Sequence, residues 1–439
     1  MMKALILDGS PENDGTGDRL RRVMTAELLQ RGWQVEHILL REKKIGPCAG
    51  DFYCWVRRPG VCNIDDDNRQ LAAAVVNSDL MVWLTPVTFG GYSSVLKGIV
   101  DHLIQNISPY FTRLAGETHH RRRYARYPDF LLAGWQETPD ERAEAVFRFL
   151  GYRNTLNFYA RRSVCGVALA AQADVELYSL VDSWLQSLEA GAQISGVSLP
   201  EQILAPESTM PPRRALLLVG SPQGRSSTSH ALGTYLMEQL AAHSVVTDTI
   251  LIHPALHQPE KMQALFQTLT EADLAVLAFP LYVDSLPAPA IALLEQVAAQ
   301  LPTLRTTPLR FAAITNCGYP ESHHGVAALA VCEQFAHQVG CGWAGGLSLG
   351  AGPGLVHGTP IHELGRNAIP VRLALDPAAE ALAEGTPIPR TVQAIWARSV
   401  IPAWLYRLVG NLGWKPQAKK YAAEKQLQHR PYTEPDRAE

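Results

Sequence analysis

Two short turns in this chain of 439 residues carry the residue types that hold a phosphate. Residues 220–229 read GSPQGRSSTS directly after the apolar run ALLLV, and residues 9–18 read GSPENDGTGD after ALILD. A strand that ends in Gly-Ser-Pro and reaches a helix through small polar residues presents N–H groups and hydroxyls at a helix N-terminus, which favours a dianion. In the later turn Ser221, Ser227, Thr228 and Ser229 supply hydroxyls and Arg225 supplies charge, so a monophosphate is well matched. In the earlier turn Ser10 and Thr16 stand among Glu12, Asp14 and Asp18, which repel a dianion. Such turns are also good helix caps with no ligand at all.

A second pair of stretches shares another grammar. Residues 77–103 read NSDLMVWLTPVTFGGYSSVLKGIVDHL, and residues 271–297 read EADLAVLAFPLYVDSLPAPAIALLEQV. In each, Asp-Leu opens one buried strand, Pro ends it, and a loop of small and aromatic residues leads into a helical pattern. The loops therefore lie at the C-terminal edge of a strand, where open parallel sheets bind ligands.

The order of these pairs reveals a duplication. The Gly-Ser-Pro turns are offset by 211 residues (Ala215 against Ala4) and the Asp-Leu strands by 194 (Asp273 against Asp79). The shorter second copy lacks a segment about the size of the cysteine-containing stretch 48–62. In the first copy, strands are expected at 3–7, 33–39, 80–84, 130–134 and 163–169, alternating with helices at 17–31, 67–76, 95–105, 140–150 and 175–190. In the second, strands at 215–219, 245–252, 274–279 and 309–315 alternate with helices at 228–241, 259–270, 288–300 and 326–339, followed by a Gly-rich end, 340–354. A further helix is expected near 362–384. Alternation of this kind predicts an α/β protein with two doubly wound, parallel, five-stranded sheets in tandem. The Pro-rich stretch 199–212 is the linker, giving modules over 1–205 and 213–390 and a helical tail over 391–439.

Composition sets limits on function. The chain is 47% hydrophobic and 18% charged with a net charge of −3, which suits two or three ordinary cores and gives no overall drive toward nucleic acid. No signal peptide or run of bilayer length is visible, and seven cysteines, an odd number, argue for a reducing cytoplasm rather than a disulfide framework. Residues 108–128 form an irregular arm containing GETHHRRRYARYP. There His119, His120, Arg121, Arg122, Arg123 and Arg126, with Tyr124 and Tyr127, have the makings of a nucleotide-phosphate site; a solvated or subunit-facing loop is the blander expectation. His323 and His324 stand where they could reach a ligand of the second copy, but a solvent-facing pair is the expectation. Cys165 and Cys332 read as buried small apolar residues. The tail combines Trp396, Trp404, Tyr406 and Trp414 with Arg398, Arg407, Lys415, Lys419 and Lys420. Such a helix is able to lie on a membrane, but docking onto the duplicated core is the commoner use and is expected here.

Taken together, GSPENDGTGD, GSPQGRSSTS, TPVTFGGYSSVLKGIVD, FPLYVDSLPAP, CAGDFYCWVRRPGVCNIDDD and NCGYPESHHG resemble the flavodoxin-like NAD(P)H-dependent FMN reductases, including their iron-sulfur flavoprotein branch. The resemblance covers the first five-strand unit and most of the second. It implies that the first loop holds the FMN phosphate. The second loop, with Pro86, Thr88, Phe89, Gly90, Gly91, Tyr92 and Ser93, or Pro280 and Tyr282, would lie along the isoalloxazine, and Asn316, Cys317 and Gly318 would close the other side. Phe89, Tyr92 or Tyr282 would pack on a ring face, with plain packing at a domain interface as the alternative for Phe89 and Tyr92. The implied activity is hydride transfer from NAD(P)H to FMN and on to a small-molecule organic acceptor, with no obligatory protein acid or base. A non-catalytic flavodoxin-like scaffold with decayed flavin sites is the alternative. The iron-sulfur branch has four clustered cysteines, whereas Asp51 here stands with Cys48, Cys54 and Cys62, so no cluster or other metal is expected. The resemblance also suggests why the modules are fused: an internal pseudo-dimer with a composite site, with a homodimer as a further option.

Overall fold

In the computed structural model, residues 1–206, 210–305 and 309–433 are described. The chain divides into two compact units, one of residues 1–199 with 407–439 and the other of residues 200–406. The tail is thus not a unit of its own.

The first unit contains β1 (Lys3–Asp8), β2 (Gln34–Leu39), β3 (Leu80–Pro86), β4 (Ile107–Leu114), β5 (Glu117–Arg122), β6 (Asp129–Gln136) and β7 (Ser163–Leu169). Five of these form a parallel sheet in the order β2-β1-β3-β6-β7. The apolar runs ALIL and LMVWL are buried on both faces, as central parallel strands require. Helices Gly15–Gln30 and Asp174–Glu189 cover one face, where Leu20, Met24 and Leu28 meet Val82, Leu131, Val181 and Leu185 in one core.

The second unit repeats the plan with β8 (Arg214–Val219), β9 (Val246–Leu251), β10 (Leu274–Pro280), β11 (Arg310–Asn316) and β12 (Gly342–Leu349), ordered β9-β8-β10-β11-β12 and all parallel. Strand β12 occupies the stretch read from sequence only as a Gly-rich end. Gly345 sits at φ +100° and the β11–β12 register shifts between Phe311 and Ala313, so a bulge breaks the period-two pattern. The helix Ala368–Ala383 buries Val371, Ala374, Leu375 and Ala378 in the same core as Leu217, Val276 and Ile314.

The arm of residues 108–128 is mostly a hairpin, not an irregular loop. Strands β4 and β5 pair antiparallel around Ala115 and Gly116, both at positive φ. Its charged residues are largely structural. Arg123 is buried and donates to the carbonyls of Ile107, Leu427 and His429, while His119 and Arg153 both engage Glu117. Arg122 lies over the Tyr159 ring, and Arg121 donates to the Phe111 carbonyl. The tail completes this packing: Asn411 bonds both backbone groups of Phe111, and Trp414 meets Trp55 edge-on at 5.4 Å.

Candidate cofactor site

Parallel register brings the loops of each unit together. In unit two Val219 lies opposite Ala278 and Pro280 opposite Asn316, so the turn after β8 and the loops after β10 and β11 leave the sheet at one edge. The side chain of Asn316 donates to Ser229 Oγ at 2.9 Å and to the Phe279 carbonyl at 3.3 Å, tying the third loop to the first helix.

The turn after β8 is built as an anion cup. Ser227 caps the helix Thr228–Ala242, accepting from the His230 amide at 3.1 Å and donating to the Gly224 carbonyl at 2.7 Å. Among the described residues the Thr228 and Ser229 amides have no hydrogen-bond partner, so two N–H groups remain at a positive helix end. Ser221 accepts from the Gln223 amide at 3.3 Å, and Arg225 is exposed beside the cup. Burial and the Arg225 charge hold His230 below its ordinary pKa, so its imidazole adds no charge at neutral pH. Sequence reading missed one neighbour: Gly358, at φ +73°, passes so close that a Cβ there would lie 2.0 Å from the Ser226 carbonyl oxygen. No motif marks that turn.

The matching turn in unit one leaves the same two amides, of Gly15 and Thr16, but sets acids around them. Asp14 caps the helix Gly15–Gln30, and its carboxylate accepts from the Gly17 amide at 2.9 Å and from the Trp135 indole at 3.2 Å. Asp8, wholly buried, accepts from both the amide and the hydroxyl of Ser10 and pairs with Arg21 at 2.9 Å. The 211-residue offset puts Val219 where Asp8 stands, so Ser221 meets no such acid. Thr16 is half-buried at the second helical position.

The second loops share a tight two-residue turn. Thr88 and Gly91 exchange backbone bonds around Phe89 and Gly90, at φ 53° and 75°; Tyr282 and Ser285 do so around Val283 and Asp284, at 49° and 58°. Positive φ costs a β-branched residue dearly, so Val283 is strained by roughly 1–3 kcal/mol. Strain of that kind concentrates at functional sites.

Not every aromatic expected at the flavin is placed for it. Tyr92 is fully buried, its ring edge-on to Trp83 and Phe147 and its hydroxyl accepting from Asn154 at 2.7 Å; Phe89 is buried as well. Ser93 caps the helix Ser94–Val100 and donates to the Gly9 carbonyl at 2.7 Å. Pro86 and Thr88 are half-buried, Gly90 and Gly91 buried. In unit two Pro280 and Tyr282 are half-buried and Gly318 is exposed. Cys317 is buried between the Tyr319 and Glu321 carbonyls, and burial pushes its thiol up to about 12.

His324 corrects the expectation of a solvent-facing pair, because only His323 is exposed. The His324 ring is enclosed, 3.6 Å from Asp284 and 3.7 Å from Glu321, and lies tilted against Tyr319 with centroids 4.4 Å apart. It therefore links the second loop to the third.

The cysteine loop of unit one encloses a small cavity of about 10 Å³, lined by Cys48, Asp51, Cys54, Cys62 and His102 among others. His102 Nε2 faces the Gly46 carbonyl at 2.7 Å, which only accepts, so the ring proton sits there. Nδ1 is left to accept from the Cys62 thiol at 3.4 Å. Asp51 caps the short helix that follows by accepting from the Tyr53 amide at 2.9 Å. Burial, with Asp101 and Cys62 adding to it, pushes the Cys48 thiol up to about 12.

Comparison with known proteins decides the family. The NADPH-dependent FMN reductase family matches residues 2–122 and again residues 213–341, more than half of the chain. The chain belongs to that family. Among individual relatives, an iron-sulfur flavoprotein of Methanocaldococcus jannaschii is 32% identical over 100 residues, covering 23% of this chain and 51% of the relative. One from Archaeoglobus fulgidus is 29% identical over 103 residues, 24% of this chain and 46% of the relative. The chain spans about half the length of the curated relatives it matches. A solved NAD(P)H:quinone oxidoreductase from Methanothermobacter marburgensis is 13% identical, covers 43% of this chain and 95% of its own, and has a TM-score of 0.33.

Proposed function

We propose that the protein is an NAD(P)H-dependent flavin oxidoreductase whose FMN is held by the second unit. The observation that carries this reading is the contrast between the two first turns. Both leave their first two helical amides unpartnered among the described residues and give the third to the cap, but in unit two the cap is the neutral Ser227, with Ser221 away from any acid and Arg225 beside it, whereas in unit one the cap is the Asp14 carboxylate and Ser10 is taken by Asp8. FMN, when bound, supplies the hydride chemistry between nicotinamide and an organic acceptor.

The chain's own part is to bind and orient. The turn at Ser227 fixes the phosphate end. The strained pair Val283–Asp284 sets the backbone beside Tyr282, and Asn316 holds the third loop against the first. Asp284, His324 and Glu321 brace the second and third loops in one arrangement. Unit one keeps the fold with acids at its phosphate turn, which agrees with a supporting role.

The iron-sulfur group in the names of the relatives finds a poor fit here. Cys48, Cys54 and Cys62 are three thiols where such clusters take four thiolates, the fourth place is held by a carboxylate engaged as a cap, and the cavity has room for about one water. The test is flavin content of the purified chain together with anaerobic reduction by NADPH or NADH. A protein that neither contains nor takes up FMN overturns the proposal.

A further inference from the structure

The helix Ala403–Lys419 leaves much of its apolar surface uncovered. Trp404 is 65% exposed, Leu405 36%, Leu408 52%, Val409 60% and Leu412 69%. At 100° per residue these five fall within an arc of about 140° on one face. The flank next to Trp404 is held: Trp414 and Ala418 are buried, and Asn411 bonds the Phe111 backbone. Scattered exposed leucines are ordinary, but five large apolar side chains in one stripe on an anchored helix mark a docking surface.

Charge selects the occupant. Residues 390–425 carry seven Lys or Arg and a single Glu, in a chain whose net charge is −3. Lys415 and Lys419 fall on the same arc as the stripe, one turn beyond Leu412, and with Lys420 and Arg398 they are exposed. Their stems extend along apolar surface while the heads reach headgroup phosphates. A second copy seated on this face would bring the same excess of positive charge and no balancing acid. Nor is this a spanning helix: no helix among the described residues is long and apolar enough to cross a membrane.

We propose that this helix docks the protein in plane on an anionic lipid surface, with Trp404, Leu408 and Leu412 entering the interface and Lys415, Lys419 and Lys420 contacting headgroups. The test uses the full chain and vesicles of phosphatidylcholine with or without about 30% phosphatidylglycerol. Cosedimentation is expected with the anionic vesicles and about tenfold or more weaker with the neutral ones. L408D/L412D should abolish binding while leaving the circular dichroism spectrum and Tm unchanged, and K415E/K419E/K420E should weaken it by about tenfold or more. Quenching of tryptophan fluorescence by brominated lipid should fall in W404F. Absence of binding to anionic vesicles, undiminished binding by L408D/L412D, or a wild-type dimer in solution that L408D/L412D converts to monomer would each overturn the proposal.

Discussion

Replacing Ser227 by Glu puts a fixed charge where the FMN phosphate is proposed to sit. The hydroxyl lies 3.1 Å from the His230 amide, inside the cup that a phosphate would share. At about 4 Å two unit charges repel by roughly 1 kcal/mol in water and roughly 4 kcal/mol at an effective dielectric constant of 20. Arg225 and Ser226 are exposed, so about 2 kcal/mol per charge is a fair middle value. A phosphate carrying about 1.5 charges then loses roughly 3 kcal/mol, or about 100-fold in Kd. A carboxylate is itself a good N-cap, so Tm of the flavin-free protein should hold. Thr16→Glu, in the turn already capped by Asp14, should change Kd less than about twofold. The assay is titration of flavin-free protein with FMN, read by quenching of flavin fluorescence. Equal losses from the two substitutions, or none from S227E, would refute the assignment of the phosphate to unit two.

Four further outcomes follow from the same contacts. Asp14→Ser clears the acid from the first turn of unit one and should allow a second, weaker FMN to bind, seen as a rise in stoichiometry at high FMN; an unchanged stoichiometry with the fold intact would show that Asp14 is not what closes that turn. Val283→Gly removes a β-branched residue from positive φ and should stabilise the protein by about 1 kcal/mol in chemical denaturation; destabilisation would show that the strain is not there. Arg123→Ala strips the Ile107, Leu427 and His429 carbonyls of a buried donor and should cost about 2–4 kcal/mol and expose the tail to protease, with the affinity for NADPH of the folded variant unaffected; a selective loss of NADPH affinity would restore the arm as a nucleotide site. Iron and acid-labile sulfide should stay far below one per chain even after anaerobic purification, and a stoichiometric amount would contradict the reading of Asp51 and Cys62.

Much of the fold was legible because its signals are local. The runs ALILD and ALLLV each end in Gly-Ser-Pro, and both became the first strand of an identically ordered sheet. The acids of the first turn were legible too, although sequence could not show that Asp8 takes Ser10 while Asp14 takes Gly17. What escaped depended on partners far along the chain. The hairpin β4–β5 hid behind a run of His and Arg residues that bond within the unit, the last of them, Arg123, to the tail some 300 positions away. His324 looked like half of an exposed pair because nothing local announces Asp284, 40 positions earlier. Tyr92 carried an aromatic signal that served the core, through Trp83, Phe147 and Asn154, equally well. Strand β12 was obscured by Gly345, whose bulge interrupts alternation where the strand pairs.

The most direct measurement is the amount of FMN bound per chain, from the absorbance spectrum of protein saturated with FMN and freed of excess, compared between wild type and S227E. One FMN per wild-type chain, bleached anaerobically by NADPH or NADH and lost in S227E, is the result expected of a single working site in unit two. Two FMN per chain, or one that S227E retains, would contradict it.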